Sequence, residues 1–379
     1  MAVSWPEGVR SAGVAAGIKR RSRDVGVIQL PEPSLWAGTF TRNGAAAASV
    51  QWCRNRLSDA VRAIVVNSGN ANACTGEAGQ EAVYETARAA ATLLGCEPEE
   101  VLVASTGPIG VRLPVDKLVA ALPEAFSSAS NDTANFAEAI LTTDSVTKLA
   151  EAQTGNARVV GVAKGAAMLA PNMATMLAFL VTDAIVERDD LQKIVSAAVE
   201  RSFNRISVDA CESTNDSVFL VTTGRIPTTT EELRRAVEDV CRELAQQTVA
   251  DAEGGSRLVR IQVTGAADEA AAVSLGRAVA ASDLWRSAVY GSDPNWGRVV
   301  AALGSVDRDL HLDDLVVAIG PETLFDRGSP VGSSEAARKV MEADCFTLSC
   351  VVGNGPGAAE LLHCDLSPSY VELNAGGGT

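Results

Sequence analysis

Only two histidines occur in the 379 residues, His311 and His363, so a His-centred triad or a His-rich metal site is not expected. Both read as solvated or core residues. Aromatic residues make up 4% of the chain, which leaves few surfaces for base stacking. Basic residues are in deficit: 32 Lys and Arg against 47 Asp and Glu give a formal charge of −15, which argues against a nucleic-acid or anionic-membrane partner. A small acidic ligand at a locally basic site remains compatible with it. No apolar run approaches the roughly 18 residues of a membrane helix. Met1 to Arg23 has basic residues without the apolar core of a secretion signal, and the expectation is a cytoplasmic protein. No two of the eight cysteines have the spacing of a zinc or dithiol motif, so they are expected to be reduced and mainly buried.

What is present is a globular balance, 47% hydrophobic and 21% charged. Strand-like runs occur at Asp24–Leu30, Arg62–Val66, Val101–Ala104, Arg158–Ala163, Met176–Thr182, Ser217–Thr222, Leu258–Val263, Val316–Ile319 and Phe346–Val352. Helical periodicity falls between them, at Glu77–Leu94, Asn131–Ile140, Asp189–Arg201, Thr229–Val249 and Ala267–Ala281. A further helix is expected from Pro114 to about Leu122, with Pro123 ending it. The alternation predicts an α/β or α+β fold, with sheets covered by helices.

The stretch with the most chemistry is Lys164-Gly165-Ala166-Ala167-Met168-Leu169-Ala170-Pro171-Asn172-Met173-Ala174-Thr175-Met176-Leu177. Were the bond before Thr175 cut, this residue would carry both a nucleophilic hydroxyl and a base, its own α-amino group. That amine, with a pKa of roughly 8, suits the task better than Lys at roughly 10.4. Locally, the same Thr reads as the first residue of a buried strand, and Lys164 reads equally well as a surface Lys.

Other strings recur at strand ends. Asn67 to Gly76 is a turn dense in Asn, Gly and Ser, without the spacing of a nucleotide-binding loop. Ser105-Thr106-Gly107-Pro108 follows a strand, where a Gly turn lets a backbone N–H approach a developing charge. Leu141-Thr142-Thr143-Asp144-Ser145, Ser207 to Asp216 and Asp251-Ala252-Glu253-Gly254-Gly255-Ser256 are turn or cap sequences in their own right. Lys19-Arg20-Arg21 reads as a solvated basic loop.

Taken together and in this order, these blocks resemble the ornithine acetyltransferase (glutamate N-acetyltransferase) family over about Gly8 to Asn374. Asp293-Pro294-Asn295-Trp296-Gly297-Arg298 adds a family-like string that is expected to be structural. The resemblance implies a layered N-terminal-nucleophile fold and self-cleavage between Ala174 and Thr175. The pieces would be an α chain, 1–174, and a β chain, 175–379, folding as one unit with a smaller C-terminal subdomain. It assigns Thr175 as nucleophile, Thr106 and Gly107 as the oxyanion hole, and Thr142, Thr143, Lys164, Glu253, Asn374 and Thr379 as substrate contacts. It implies ping-pong acetyl transfer from N2-acetylornithine to glutamate in arginine biosynthesis, without metal or nucleotide, in an α2β2 assembly. Use of acetyl-CoA as a donor varies within the family. Departures from the pattern are Gly44, Pro108, Ala166, Ala167, Cys211, Glu212 and the glycines before Thr379. Three further readings stay open: an N-terminal-nucleophile amidase or aminopeptidase, a non-catalytic binding descendant, and acyl transfer to another amine in a specialised pathway.

Overall fold

β-branched runs bounded by polar turns give strands buried on both faces. The computed structural model describes residues 3–57, 60–169 and 176–375. In it β1 (Arg10–Val14), β2 (Val25–Phe40), β3 (Val61–Ser68), β4 (Val101–Thr106), β5 (Lys148–Thr154), β6 (Ala157–Lys164), β7 (Leu177–Ala184) and β9 (Ser217–Ile226) form one sheet. Their order is β4-β3-β2-β9-β7-β6-β5, with β1 paired to β2. The sheet doubles over at β2. Val25 to Gln29 pair with β3, Leu35 to Phe40 pair with β9, and the register shifts between Gln29 and Ser34.

The period-two alternation of side chains sorts each strand between two layers. In β3, Ile64 and Val66 point to the interior and Ala63 and Val65 to the outside. In β7, Leu177, Phe179 and Val181 point to the interior, while Ala178 and Leu180 point outward. The two halves of the sheet thus face each other across one interior, which also gathers Trp5, Trp36, Phe40, Phe136 and Phe219. Phe179 stacks on Phe219 at 5.5 Å and receives the edge of Phe136 at 5.2 Å. Each such fully buried ring contributes roughly 1.5–3 kcal/mol.

Helices cover the outer faces. Of α1 (Ala48–Arg54), α2 (Glu77–Leu94), α3 (Val115–Ser127) and α4 (Ala134–Ala139), α2 and α3 pack on the first half. α5 (Arg188–Glu200) and α6 (Thr230–Ala250) pack on the second. The result is a helix–sheet–sheet–helix sandwich, the layered α/β class expected. Pro123 does not end α3, contrary to the sequence expectation; the helix runs through it to Ser127. An interior Pro costs about 3 kcal/mol. Ala125 and Phe126, beyond it, are buried with Leu118 and Leu122, and their packing offsets that cost.

A second sheet contains β8 (Ile206–Ser207), β10 (Leu258–Ala266), β11 (Val316–Ile319), β12 (Glu322–Asp326), β13 (Ser329–Pro330), β14 (Cys345–Val351) and β15 (Gly357–Cys364), ordered β13-β12-β11-β14-β10-β15-β8. α7 (Glu269–Ala280), α8 (Asp283–Tyr290), α9 (Trp296–Val306) and α10 (Ser334–Met341) enclose its core. Trp296 stacks there on Phe325 at 4.9 Å. α11 (Pro368–Ala375) closes the described chain. Residues from both sides of position 174 share the first sheet, whereas the second is built wholly from residues after it.

His363 is fully buried in this second layer; its Nε2 accepts from Trp285 Nε1 at 3.2 Å, and its Nδ1 lies 3.0 Å from the Cys364 carbonyl. That pattern fits a neutral ring. Burial pushes its pKa down to about 3, and the Arg286 charge adds to this against the pull of the Cys364 carbonyl. The unfolded chain therefore binds the extra proton from about pH 6.5 downward while the folded chain refuses it until about pH 3. The stability associated with the neutral ring is present above pH 6.5 and is lost as pH falls. Between pH 7 and 5 the parent should lose about 2 kcal/mol more than a His363→Leu variant in denaturant unfolding. Parallel pH profiles for the two proteins would contradict this.

Four cysteines are buried, Cys53, Cys241, Cys350 and Cys364, while Cys74, Cys211 and Cys345 are exposed and Cys96 half-buried. Exposure is thus commoner than the sequence suggested; all are free. Among the described residues no helix is long and apolar enough to cross a membrane, and no group of three His, Cys, Asp or Glu could hold a metal ion.

Candidate active site

The ends of β4 and β6 carry the central groups. β4 finishes on Thr106, and Gly107 turns the chain with φ of 138°. The turn lies against the Asn-rich loop after β3. Asn70 N–H donates to the Thr106 carbonyl at 3.0 Å, and Asn70 Nδ2 donates to the carbonyls of Val111 and Arg112, both at 3.2 Å. Asn67 Nδ2 holds the Asn70 carbonyl at 2.8 Å, and Asn215 Nδ2 holds the carbonyls of Ala71 at 2.6 Å and Ser105 at 2.8 Å. The amides are there to satisfy buried carbonyls of an irregular backbone. The loop is a buttress for the β4 turn.

Lys164, the last residue of β6, is 2% exposed. Its Nζ donates to Thr142 Oγ1 at 2.8 Å and Thr106 Oγ1 at 3.2 Å, and lies 3.8 Å from Asp144. Burial pushes its pKa down, opposed chiefly by the Asp144 charge; Asp216 and Glu253 also act on it. A hydroxyl whose lone pair takes an ammonium proton is polarised, and its own proton is free to be donated. Thr106 is such a group beside Gly107. Thr143 is half-buried next to Thr142.

Asp144 is the node behind these residues. It accepts from Gly165 N–H at 2.6 Å and pairs with Lys148 at 2.8 Å, both side chains fully buried. Burial pushes its carboxyl up, but Lys164 and Lys148 outweigh that and hold it at about 2. Lys148 also pairs with Asp251 at 2.6 Å, and Asp251 accepts from Ser145 N–H. Two residues on, Glu253 N–H donates to the Ala166 carbonyl at 2.9 Å, and Glu253 Oε2 accepts from Asn374 Nδ2 at 3.1 Å. The turn after α6 and the end of α11 thereby meet the Lys164 block.

Ala174, Thr175 and Thr379 lie outside the described residues. The loop from Ser207 to Asp216 holds both flanks of the Ala170–Thr175 stretch. Asp209 accepts from Met168 N–H at 2.6 Å and Leu169 N–H at 2.9 Å. Asp216 accepts from Met176 N–H at 3.0 Å, and Ser217 N–H donates to the Met176 carbonyl at 3.1 Å. Asp216 is fully buried, and burial raises its carboxyl well above the usual range.

Thr106, Gly107, Thr142, Lys164, Glu253 and Asn374 are therefore brought into one linked cluster. Asp144, Asp216 and Asp251 stood in the sequence strings without a role assigned to them, and Lys148 stood in none. Lys148 and Asp251 lie 103 positions apart, and neither has a local pattern that marks it as buried.

The sequence profile of the ArgJ family matches residues 10–377. The arginine biosynthesis bifunctional protein ArgJ of Thermus thermophilus is 44% identical over 390 aligned positions, covering 99% of each chain. Its counterpart from Thermobifida fusca is 42% identical over 381, again covering 99% of each. Among solved structures, ornithine acetyltransferase complexed with ornithine from Mycobacterium tuberculosis is 40% identical across 45% of this chain and 94% of that one, with a TM-score of 0.43. Since the family profile and both sequence relatives match along nearly all of it, the chain belongs to the ArgJ family.

Proposed function

We propose that this chain is an acetyltransferase of arginine biosynthesis that moves the acetyl group of N2-acetylornithine to glutamate through an acetyl ester on Thr175. The observation that carries the reading is the bridging of Thr106 and Thr142 by Lys164, beside a block whose two flanks are gripped by Asp209 and Asp216. Membership of a family whose curated relatives bear the bifunctional arginine-biosynthesis name favours acetyl transfer over hydrolysis.

Maturation would begin with attack of Thr175 Oγ on the Ala174 carbonyl carbon. The C–N bond breaks, the amine takes the proton, and an ester to Thr175 Oγ is left. Water then hydrolyses the ester, giving the Ala174 carboxylate and a free Thr175 hydroxyl and amine. In the first half-reaction the neutral amine takes the proton of Oγ as it attacks the acetyl carbonyl. Gly107 N–H and the Thr106 hydroxyl face the oxyanion. Collapse expels ornithine, whose nitrogen takes the proton, and leaves acetyl-Thr175. The neutral amine of glutamate attacks that ester, the proton returns to Thr175 Oγ, and N-acetylglutamate leaves. Glu253, which accepts from Asn374, would meet a substrate ammonium. The assembly would be an α2β2 tetramer of cleaved chains in the cytoplasm.

Intact mass of the purified protein should show two pieces, 1–174 and 175–379. Thr175→Ala should give one uncut chain with turnover reduced at least about a thousandfold. Acetylglutamate should form only when glutamate is added. Acetate release at the same rate without glutamate would replace this reading with a hydrolase.

A further inference from the structure

Lys164 is largely engaged by its neighbours. Thr142 and Thr106 take two of its three ammonium protons, and Asp144 lies 3.8 Å away. A second cation, Lys19, reaches the residue before Thr142. We infer that Lys19 binds the α-carboxylate shared by donor and acceptor, beside Lys164, which polarises the two threonines. The inference rests on the acetyl-transfer reading for the identity of the ligand, and on geometry for the residue.

The loop between β1 and β2 is tied down. The Asp24 carboxylate, fully buried, accepts N–H from Ala16 and Ile18 at 2.6 Å and from Lys19 at 2.8 Å. The backbone of Lys19 is thereby fixed, which is not the solvated loop its basic neighbours suggest. Its stem lies on Gly69, where an added Cβ would come within 2.6 Å of Lys19 Cγ. Gly69 adjoins Asn70, the residue against which Gly107 turns. At the far end Nζ donates to the Leu141 carbonyl at 2.9 Å, one residue before Thr142. Lys19 thus spans from the loop behind the β4 turn to the residue before Thr142. Its Nζ is half-buried and makes no other hydrogen bond or ion pair among the described residues.

Electrostatics agree with the geometry. Burial pushes the Lys19 ammonium down and the Lys164 charge adds to this, while Asp24 and Asp144 oppose it. A bound carboxylate would relieve the repulsion between the two lysines. In a chain of formal charge −15, such a cation also offsets the field that repels an acidic substrate.

The test compares ornithine with 1,4-diaminobutane, which lacks only the carboxylate. Binding of each to the parent, Lys19→Met and Lys19→Arg is measured by calorimetry, alongside steady-state kinetics with N2-acetylornithine and glutamate. Intact mass reports whether each variant is cleaved. Lys19→Met should weaken ornithine binding about 10- to 100-fold, a charge-assisted bond being lost, and leave 1,4-diaminobutane unchanged. KM for N2-acetylornithine and glutamate should rise by a similar factor, with kcat moving less, and Lys19→Arg should fall between. Equal weakening of both amines, or no change for ornithine, overturns the inference even where acetyl transfer by the parent stands. Conversely, a parent that transfers no acetyl group yet binds ornithine through Lys19 keeps the inference and removes the reaction. A parent that binds neither amine removes both.

Discussion

Replacing Gly107 by Ala is expected to lower acetyl transfer by about 10²–10³-fold, the loss typical of one misplaced oxyanion donor. With φ at 138° the residue lies where L side chains are strained, at about 1–3 kcal/mol. The steric term is larger. An added Cβ would sit 2.4 Å from Asn70 N and 2.6 Å from the Gly69 carbonyl carbon. One side must retreat by about 1 Å to reach ordinary van der Waals contact. The Asn70 side cannot easily do so, because Asn67, Thr106, Val111 and Arg112 all hold it. Gly107 must swing instead, and its N–H swings with it. The measurement is single-turnover acetylation of Thr175 on the cleaved fraction, with intact mass reporting cleavage. Acetylation within tenfold of the parent would remove the Gly107 N–H from the site.

The sequence made the first sheet legible for a physical reason. β3, β7 and β9 are buried on both faces, so their sequences are near-continuous apolar runs with sharp polar ends. α2 was legible to the residue, because its apolar period stops at Gly95, which caps the helix in the left-handed conformation at φ 66°. By contrast β5, Lys-Leu-Ala-Glu-Ala-Gln-Thr, is an edge strand with one half-exposed face, and its short alternating pattern was not recognised. Pro123 misled because a local rule met a tertiary contact that outweighs it. The candidate site was legible only as separate strings. Nothing local says that Lys164 reaches Thr106, 58 positions away, or that Asn374 meets Glu253 across 121. The basic cluster at Lys19 was read as solvated because its anchor, Asp24, looks like the first residue of a strand.

Lys148→Met should be the most destabilising single change near the site, costing about 3–5 kcal/mol at pH 8. Lys148 is fully buried and is shared by two carboxylates, Asp144 at 2.8 Å and Asp251 at 2.6 Å. Removing it leaves both without their closest cation in a medium of low polarity. Lys164 remains, 3.8 Å from Asp144, and would be drawn toward it and away from Thr106 and Thr142. Activity should therefore fall as well, by about tenfold if one charge-assisted contact is lost. The sign of the pH dependence follows from Asp144. In the parent its pKa is about 2, below the unfolded value, so its contribution is present above about pH 3.8 and is lost as pH falls toward 2. Without Lys148, burial outweighs the remaining attraction and the folded carboxyl holds its proton to higher pH. The variant's deficit should then shrink by about 1 kcal/mol or more between pH 8 and pH 5, one pKa unit being worth about 1.4 kcal/mol. Denaturant unfolding at the two pH values, in a Thr175→Ala background that keeps the chain in one piece, reads this directly. Lys148→Arg should recover part of the loss, since a guanidinium can still bridge two carboxylates. A deficit under about 1 kcal/mol at pH 8 would mean that the two carboxylates reach another cation or water once Lys148 is gone.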